Sequence, residues 1–328
     1  MQSASVSLTS SASSSLIDAE SGPFRTELNH RAFAFSHFLA NDPLFDLSRL
    51  ADLAKTVIAA NKGDRNHYVL CKAAESVPNV SKQWTNFQPL DRVHEAIRHI
   101  RESGSWVLIT GAQIDPDYQT LLDNLLYDLE IACGIPLRAE ILWSCFSIFV
   151  GSPNSVTHYH MDSETNFLFQ IHGNKEAHLF DRNDREILSE EDIETFNAVD
   201  GSHIQFRDEF HAKEKLFGLA PGTGLHIPVN APHWVKNLDD YSVTMSILFY
   251  MREETRRAWI YQVNHILRKL RINPTPPGKA PFVDNVKSGL IGGLTTRSPR
   301  DKQDVLRSGY HWITKPARSA YRLARARK

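Results

Sequence analysis

From Ile141 to Tyr250 the chain becomes a series of short β-forming runs cut by turn residues. The runs fall at about 142–150, 156–162, 166–171, 176–180, 203–206, 225–229, 232–236 and 242–250, with Gly, Pro, Asn and Asp between them. Strands this short are marginal in isolation and must close on one another, so a sandwich or barrel is expected. Leu142–Val150 is apolar on both faces, as in a strand covered on both sides.

The flanking sequence supplies the cover. Leu50, Leu53, Ala54, Val57 and Ile58 recur at helical spacing after Asp46, and Val93, Ile97 and Ile100 do so after Asp91. A third helix starts at Asp115-Pro116, carries Leu121, Leu122, Leu125 and Leu129, and stops at Gly134. Tyr68–Cys71 and Trp106–Thr110 read as strands, and Phe33, Phe35 and Phe38 as an extended arm. Residues 23–139 are therefore expected to form an α/β part packed on a β core of residues 140–250, its helices bracing one sheet. Residues 1–22, rich in Ser and Ala, read as a disordered lead-in.

After the core, Trp259, Val263, Ile266, Leu267 and Leu270 mark an amphipathic helix that Pro274–Gly278 ends. A Gly-rich piece and a basic tail complete the extension over 251–328. From Asp301 to Lys328 there are eight Lys or Arg and two Asp, so the net charge is 8 − 2 = +6. A solvated helix explains this best. A nucleic-acid or acidic-partner contact is the sharper reading, less favoured because Trp312, Ile313 and Tyr321 point to packing.

The chemistry gathers in Val156–Lys175, VTHYHMDSETNFLFQIHGNK. His160 and Asp162 are two apart, and strand side chains two apart share a face. An imidazole and a carboxylate side by side suit a divalent metal, and His233 in GLHIPVNAPHWVKN is the candidate third ligand. His158 shares the face of His160 by the same spacing, and polar residues lining a sheet would explain an H-x-D pair as well. His172, His178, His203, His211 and His226 read as surface or packing residues, His226 being the rival to His233. Trp143, Phe146, Phe167 and Trp234 could line a pocket or fill the core.

Several positions agree in register with one family. Thr157 stands three before His160, which selects His160 over His158. Asn166 follows Asp162 by four, Gln170, Ile171, Gly173 and Lys175 form a Q-I-x-G-x-K turn, and Ile227-Pro228 precede His233. Over roughly 140–250 the chain resembles the JmjC and cupin-like 2-oxoglutarate oxygenases, including the asparaginyl hydroxylase of hypoxia-inducible factor and compact bacterial jumonji-type proteins.

The resemblance implies a mainly β fold with flanking α, a double-stranded β-helix or jelly roll. It implies Fe(II) held by His160, Asp162 and His233 as metal-binding and catalytic residues. It also implies 2-oxoglutarate as co-substrate, with Lys175 at its distal carboxylate and Thr157 and Asn166 hydrogen bonding. Ser246 stands where the family often has Asn, a departure that bears on its co-substrate role. The activity implied is hydroxylation of a C–H bond of a protein or peptide side chain, an amino acid or a related small molecule, using O2 and releasing succinate. The competing readings are a non-catalytic metal-binding regulatory module, a Zn or Mn cupin isomerase and an RNA-directed hydroxylase.

Composition sets outer bounds. The 328 residues are 41% hydrophobic and 23% charged with formal net charge −1, which gives no global signal for nucleic acid or membrane. Cys71, Cys133 and Cys145 have no disulfide or CxxC spacing, and the sequence has no leader pattern, so a cytoplasmic protein is expected. A homodimer is compatible with all of this.

Overall fold

The computed structural model describes residues 15–40, 42–61, 63, 65–75, 87–199, 204–296 and 301–325, with side chains as far as Lys315. The N-terminal part contributes β1 (Ile17–Asp18), α1 (Phe24–Glu27), β2 (Phe33–His37), α2 (Leu47–Ala60), β3 (Tyr68–Ala73), α3 (Val93–Arg98), β4 (Ser105–Thr110), α4 (Pro116–Cys133) and α5 (Leu137–Glu140). The core follows as β5 (Ile141–Gly151), β6 (Val156–His160), β7 (Thr165–His172), β8 (Lys175–Leu179), α6 (Glu190–Ala198), β9 (Lys215–Leu219), β10 (Thr223–Ile227), β11 (His233–Asn237) and β12 (Ser242–Met251). Helices α7 (Arg252–Lys269), α8 (Pro281–Gly292) and α9 (Lys302–Arg325) complete the chain.

The strands pair antiparallel into two sheets, ordered β1-β2-β10-β7-β12-β5-β4-β3 and β6-β11-β8-β9. This is a mainly β jelly roll with flanking helices. Period-two alternation decides which way each face looks. Phe167, Phe169 and Ile171 of β7, Phe146 and Ile148 of β5, and Met245 and Ile247 of β12 all turn outward. They meet Leu50, Leu53 and Val57 of α2 and Leu121, Leu125 and Leu129 of α4 in one core. Burying each such side chain contributes roughly 1.5–3 kcal/mol, so this contact locks the helices onto the large sheet. The intervening residues, among them Ser147, Asn166, Leu168, Thr244 and Ser246, turn inward and line a cavity.

Three expectations are corrected. The lead-in through residue 22 is ordered where it is described: Ile17 is buried, and Ile17–Asp18 pair with His37 and Ser36. Leu16-Ile17 gives this stretch something to bury, and Asp128 accepts from the Leu16 N–H at 2.6 Å; residues 1–14 lie outside the described residues. The strand expected at 203–206 is not formed by Ile204–Phe206, whose apolar side chains pack against Tyr159 and Ile193 instead, and residue 203 lies outside the described residues. The missed strand is β9, an edge strand whose Leu216 is exposed and which therefore lacks apolar alternation. The Gly-rich piece is helix α8, begun by Pro281 at its first turn.

Candidate functional site

A β-bulge builds the site's first half. His233 of β11 lies opposite His160 of β6, whereas Val235 lies opposite Thr157. Two residues on β11 thus span three on β6, and the extra residue breaks the simple alternation. Thr157 and His160, three apart, consequently both line the cavity. His158, expected on the same face as His160, is fully buried elsewhere with Nε2 2.9 Å from Glu75.

His160, Asp162 and His233 converge, their ligand atoms all within 4.8 Å of one another. His160 Nε2 is 3.8 Å from Asp162 Oδ1, and His233 Nε2 is 3.9 Å from Oδ2. His160 Nδ1 donates to the His158 carbonyl at 2.6 Å, and His233 Nδ1 to the Ala231 carbonyl at 2.9 Å. A carbonyl only accepts, so each Nδ1 carries its proton there and each Nε2 faces Asp162. Burial pushes His233 down to about 4, helped by His160, so its imidazole is neutral near pH 7. Burial pushes the Asp162 carboxyl up, but His160, His233 and the Asn166 amide at 3.3 Å together hold it below its ordinary value. Imidazole lone pairs around an ionised carboxylate make a donor set that suits a divalent metal.

The cavity's other end is set by a tight turn. Gly173 has φ 73°, and a Cβ there would lie 2.1 Å from the Tyr241 carbonyl oxygen. The turn starts β8 at Lys175, opposite Asn237 of β11. Lys175 is 6% exposed, and its Nζ donates to Thr244 Oγ1 at 2.5 Å. Thr244 donates on to Gln170 Oε1 at 2.8 Å. Gln170 Nε2 in turn donates to the His172 and Gly173 carbonyls at 2.6 and 2.8 Å. Burial pushes the Lys175 amine down to about 7, with no charged neighbour opposing it. Between the two ends, Thr157 Oγ1 accepts from Trp106 Nε1 at 3.1 Å. Asn166 Oδ1 and Ser246 Oγ are buried with no hydrogen-bond partner among the described residues. All seven residues singled out in the sequence line one cavity of about 450 Å³.

Sequence reasoning missed the mouth. Glu164, buried just past Asp162, lies 3.1 Å from Lys302 Nζ and accepts from Ser163 Oγ at 2.9 Å. Lys302, Gln303 and Leu306 of α9 line the cavity. Leu306 and Val305 pack with Tyr250 and Ala258, and Arg307 donates to the Phe196 and Asn197 carbonyls at the end of α6. A contact 138 residues apart leaves no local signal. Thr244 did leave one: Ser242, Thr244 and Ser246 put a polar face on an otherwise apolar strand.

The spare histidines have other occupations. His226 Nδ1 lies 3.2 Å from the Asn166 carbonyl while Nε2 accepts from the Asn29 N–H at 3.0 Å, which spends both nitrogens. His178 stacks on Trp234 and His172 on Tyr241, and His211 is exposed beside Glu214; His203 lies outside the described residues. Trp143 lines the cavity, whereas Phe146, Phe167 and Trp234 sit in cores. The basic tail starts as helix α9, with Val305 and Tyr310 buried but Trp312 65% exposed. Tyr321 lies beyond the described side chains. No helix among the described residues is long and apolar enough to cross a membrane.

HSPB1-associated protein 1 of Rattus norvegicus is 28% identical over 134 residues, covering 35% of this chain and 28% of that protein, so the match spans under a third of that relative. The solved structure of E. coli ycfD has a TM-score of 0.46 at 15% identity, covering 88% of this chain and 66% of that one. The structure of YcfD, a ribosomal oxygenase from Escherichia coli, in complex with cobalt and 2-oxoglutarate has a TM-score of 0.41 at 15% identity, covering 87% and 64%. Residues 33–255, from β2 to the first turn of α7, match the family model of the cupin-like domain. That stretch is more than half of the sequence, and the chain belongs to the cupin-like domain family.

Proposed function

We propose that this protein is an Fe(II)- and 2-oxoglutarate-dependent oxygenase that hydroxylates a C–H bond of a protein or peptide side chain, an amino acid or a related small molecule. The observation that carries the reading is the pairing of two features in one cavity: a His-Asp-His cluster at one end and a buried, uncompensated lysine at the other. The donor set fits a divalent metal. The unpartnered Ser246 hydroxyl, which can donate, fits with Lys175 a small dicarboxylate lying between. A site that merely stored metal has no use for such a lysine, which argues against a regulatory module.

When bound, Fe(II) with 2-oxoglutarate and O2 supplies oxidative decarboxylation to succinate and insertion of one oxygen atom into a C–H bond. His160, Asp162 and His233 would hold the metal, their tautomers fixed by the His158 and Ala231 carbonyls. Lys175 would pair with the distal carboxylate of 2-oxoglutarate, held in place by Thr244. Thr157, its lone pair already taken by Trp106, can turn its O–H into the cavity, and Ser246 can donate there too. The apolar Leu168 and Val235 keep water off this end. Asn166 donates to Asp162 and so helps to orient that carboxylate.

The test is succinate release from 2-oxoglutarate by protein loaded anaerobically with Fe(II) and then exposed to O2. Candidate peptides, amino acids and RNA should be screened alongside for a mass gain of one oxygen. Failure to bind 2-oxoglutarate in any divalent-metal form would reject the reading.

A further inference from the structure

We propose that Lys175 is an uncharged amine for much of the time in the free protein and takes up a proton as the distal carboxylate of the co-substrate arrives, so that co-substrate capture is a proton-uptake step. This rests on the 2-oxoglutarate reading above.

Gln170 Nε2 faces the His172 and Gly173 carbonyls, so the amide nitrogen is fixed on that side and Oε1 must accept. Thr244 therefore spends its hydrogen on Gln170, and only its lone pair is left for Lys175. A neutral amine satisfies that single acceptor as well as an ammonium does. The ammonium would bring a full charge and two further donors, whereas Thr244 is the one hydrogen-bond partner of Lys175 Nζ among the described residues.

The surroundings give no compensating charge. Lys175 Nζ meets Thr244 Oγ1 of β12, which bonds Gln170 of β7 and lies 3.4 Å from Ser242; the other uncharged polar residues of the cavity are Ser246, Asn166, Thr157 and Ser147. The neighbouring strand residues, Asn237 of β11 and Leu219 of β9, are uncharged too. Glu176 is next along β8 and turns to the opposite face, toward His178. The charged and titratable groups lining the cavity are His160, Asp162 and His233 at the metal end and Glu164, Lys302, Tyr250, Tyr68, Cys145, Arg65 and Arg307; among the described residues none of them pairs with Lys175, and Glu164 is taken by Lys302. A buried cation without a partner sheds its proton more easily, and burial brings this amine down to about 7. An anion docked against it reverses that balance.

The sign follows. The amine holds its proton more tightly in the complex than in the free protein. Binding is then fully expressed below the free-protein value and weakens as pH rises above it, tenfold per pH unit. Only the protonated fraction is competent, so going from pH 7.0 to 8.5 should raise the apparent Kd about 16-fold.

The experiment is calorimetric titration of 2-oxoglutarate into the full-length protein preloaded with Co(II) under anaerobic conditions. It is repeated in buffers of different ionisation heat, which counts protons. Wild type should take up about half a proton at pH 7.0 and close to one at pH 8.5. Lys175→Arg keeps a permanent cation and every metal-side event, so it should bind with no uptake and a flat Kd. Lys175→Met should lose most of the affinity. Binding by wild type without proton uptake, or uptake retained in Lys175→Arg, overturns this inference and leaves the function reading standing. No binding to any metal-loaded form removes both.

Discussion

Replacing Lys175 by Met should make the metal-free protein more stable, although it removes a residue proposed to bind co-substrate. Lys175 is 6% exposed and meets one neutral hydroxyl. In the unfolded chain its amine titrates near 10.5, in the folded protein at about 7. That difference is worth about 5 kcal/mol against the native state wherever both forms would be protonated. Methionine has a similar length and loses nothing on burial. The penalty is complete below about pH 7 and fades toward pH 10.5, because the unfolded chain binds a proton there that the folded one lacks. Wild-type stability should therefore climb relative to the variant across this window. Urea unfolding of both metal-free proteins at pH 6.5 and 8.5 measures it. The variant should lead by roughly 3–5 kcal/mol at pH 6.5, with the gap narrower by about 2 kcal/mol at pH 8.5. A variant less stable than wild type, or a gap that does not move with pH, would show that Lys175 is not a buried uncompensated amine.

Other substitutions probe separate parts of the argument. Asp162→Ala should abolish the rise in Tm that Co(II) gives the wild type, whereas His158→Gln should keep it; a loss in both would mean that the β6 bulge does not separate the two histidines. His226→Ala removes a buried ring packed on Phe33 and Phe167 and should cost about 2–4 kcal/mol in urea unfolding, with Co(II) affinity changed less than about threefold. Gly173→Ala forces a Cβ onto the Tyr241 carbonyl at positive φ and should cost at least about 2 kcal/mol by the same assay. Lys302→Met strands the Glu164 carboxylate; since the lysine side chain is 36% exposed, the loss should be only about 1–2 kcal/mol, and a double-mutant cycle with Glu164→Gln should recover most of it as coupling.

The legible parts of this molecule were those written in local periodicity. Phe167, Phe169 and Ile171 alternate with Asn166, Leu168 and Gln170, so the strand could be read, although Phe167 was left between pocket and core. The α4 stripe and its Gly134 stop were equally plain, and Gly134 adopts φ 67° at the helix end. Two kinds of feature stayed hidden. One is irregularity: the extra residue in β6 gives Thr157 and His160 a common face, which simple alternation assigns to His158 and His160. The family register picked His160 correctly for cavity placement, while strand geometry alone left two choices. The other is distance in sequence. Nothing near Lys302 announces Glu164, and a helix judged by its charge was not expected beside the cavity. The edge strand β9 combines both difficulties, with one partner and only Phe217 and Leu219 packed against a core.

The wall formed by α9 begins at Lys302, whereas the family-matched stretch ends at residue 255. The barrel and the cavity's outer wall are thus separate passages of sequence under separate constraints. Gln303 lines the cavity from outside the strands, so its substitution changes the lining without touching a strand register, whereas Leu306 also packs on Tyr250. Under the proposed function, the tail would shape preference for the substrate while the barrel keeps metal and co-substrate capture, two exchangeable parts of one site.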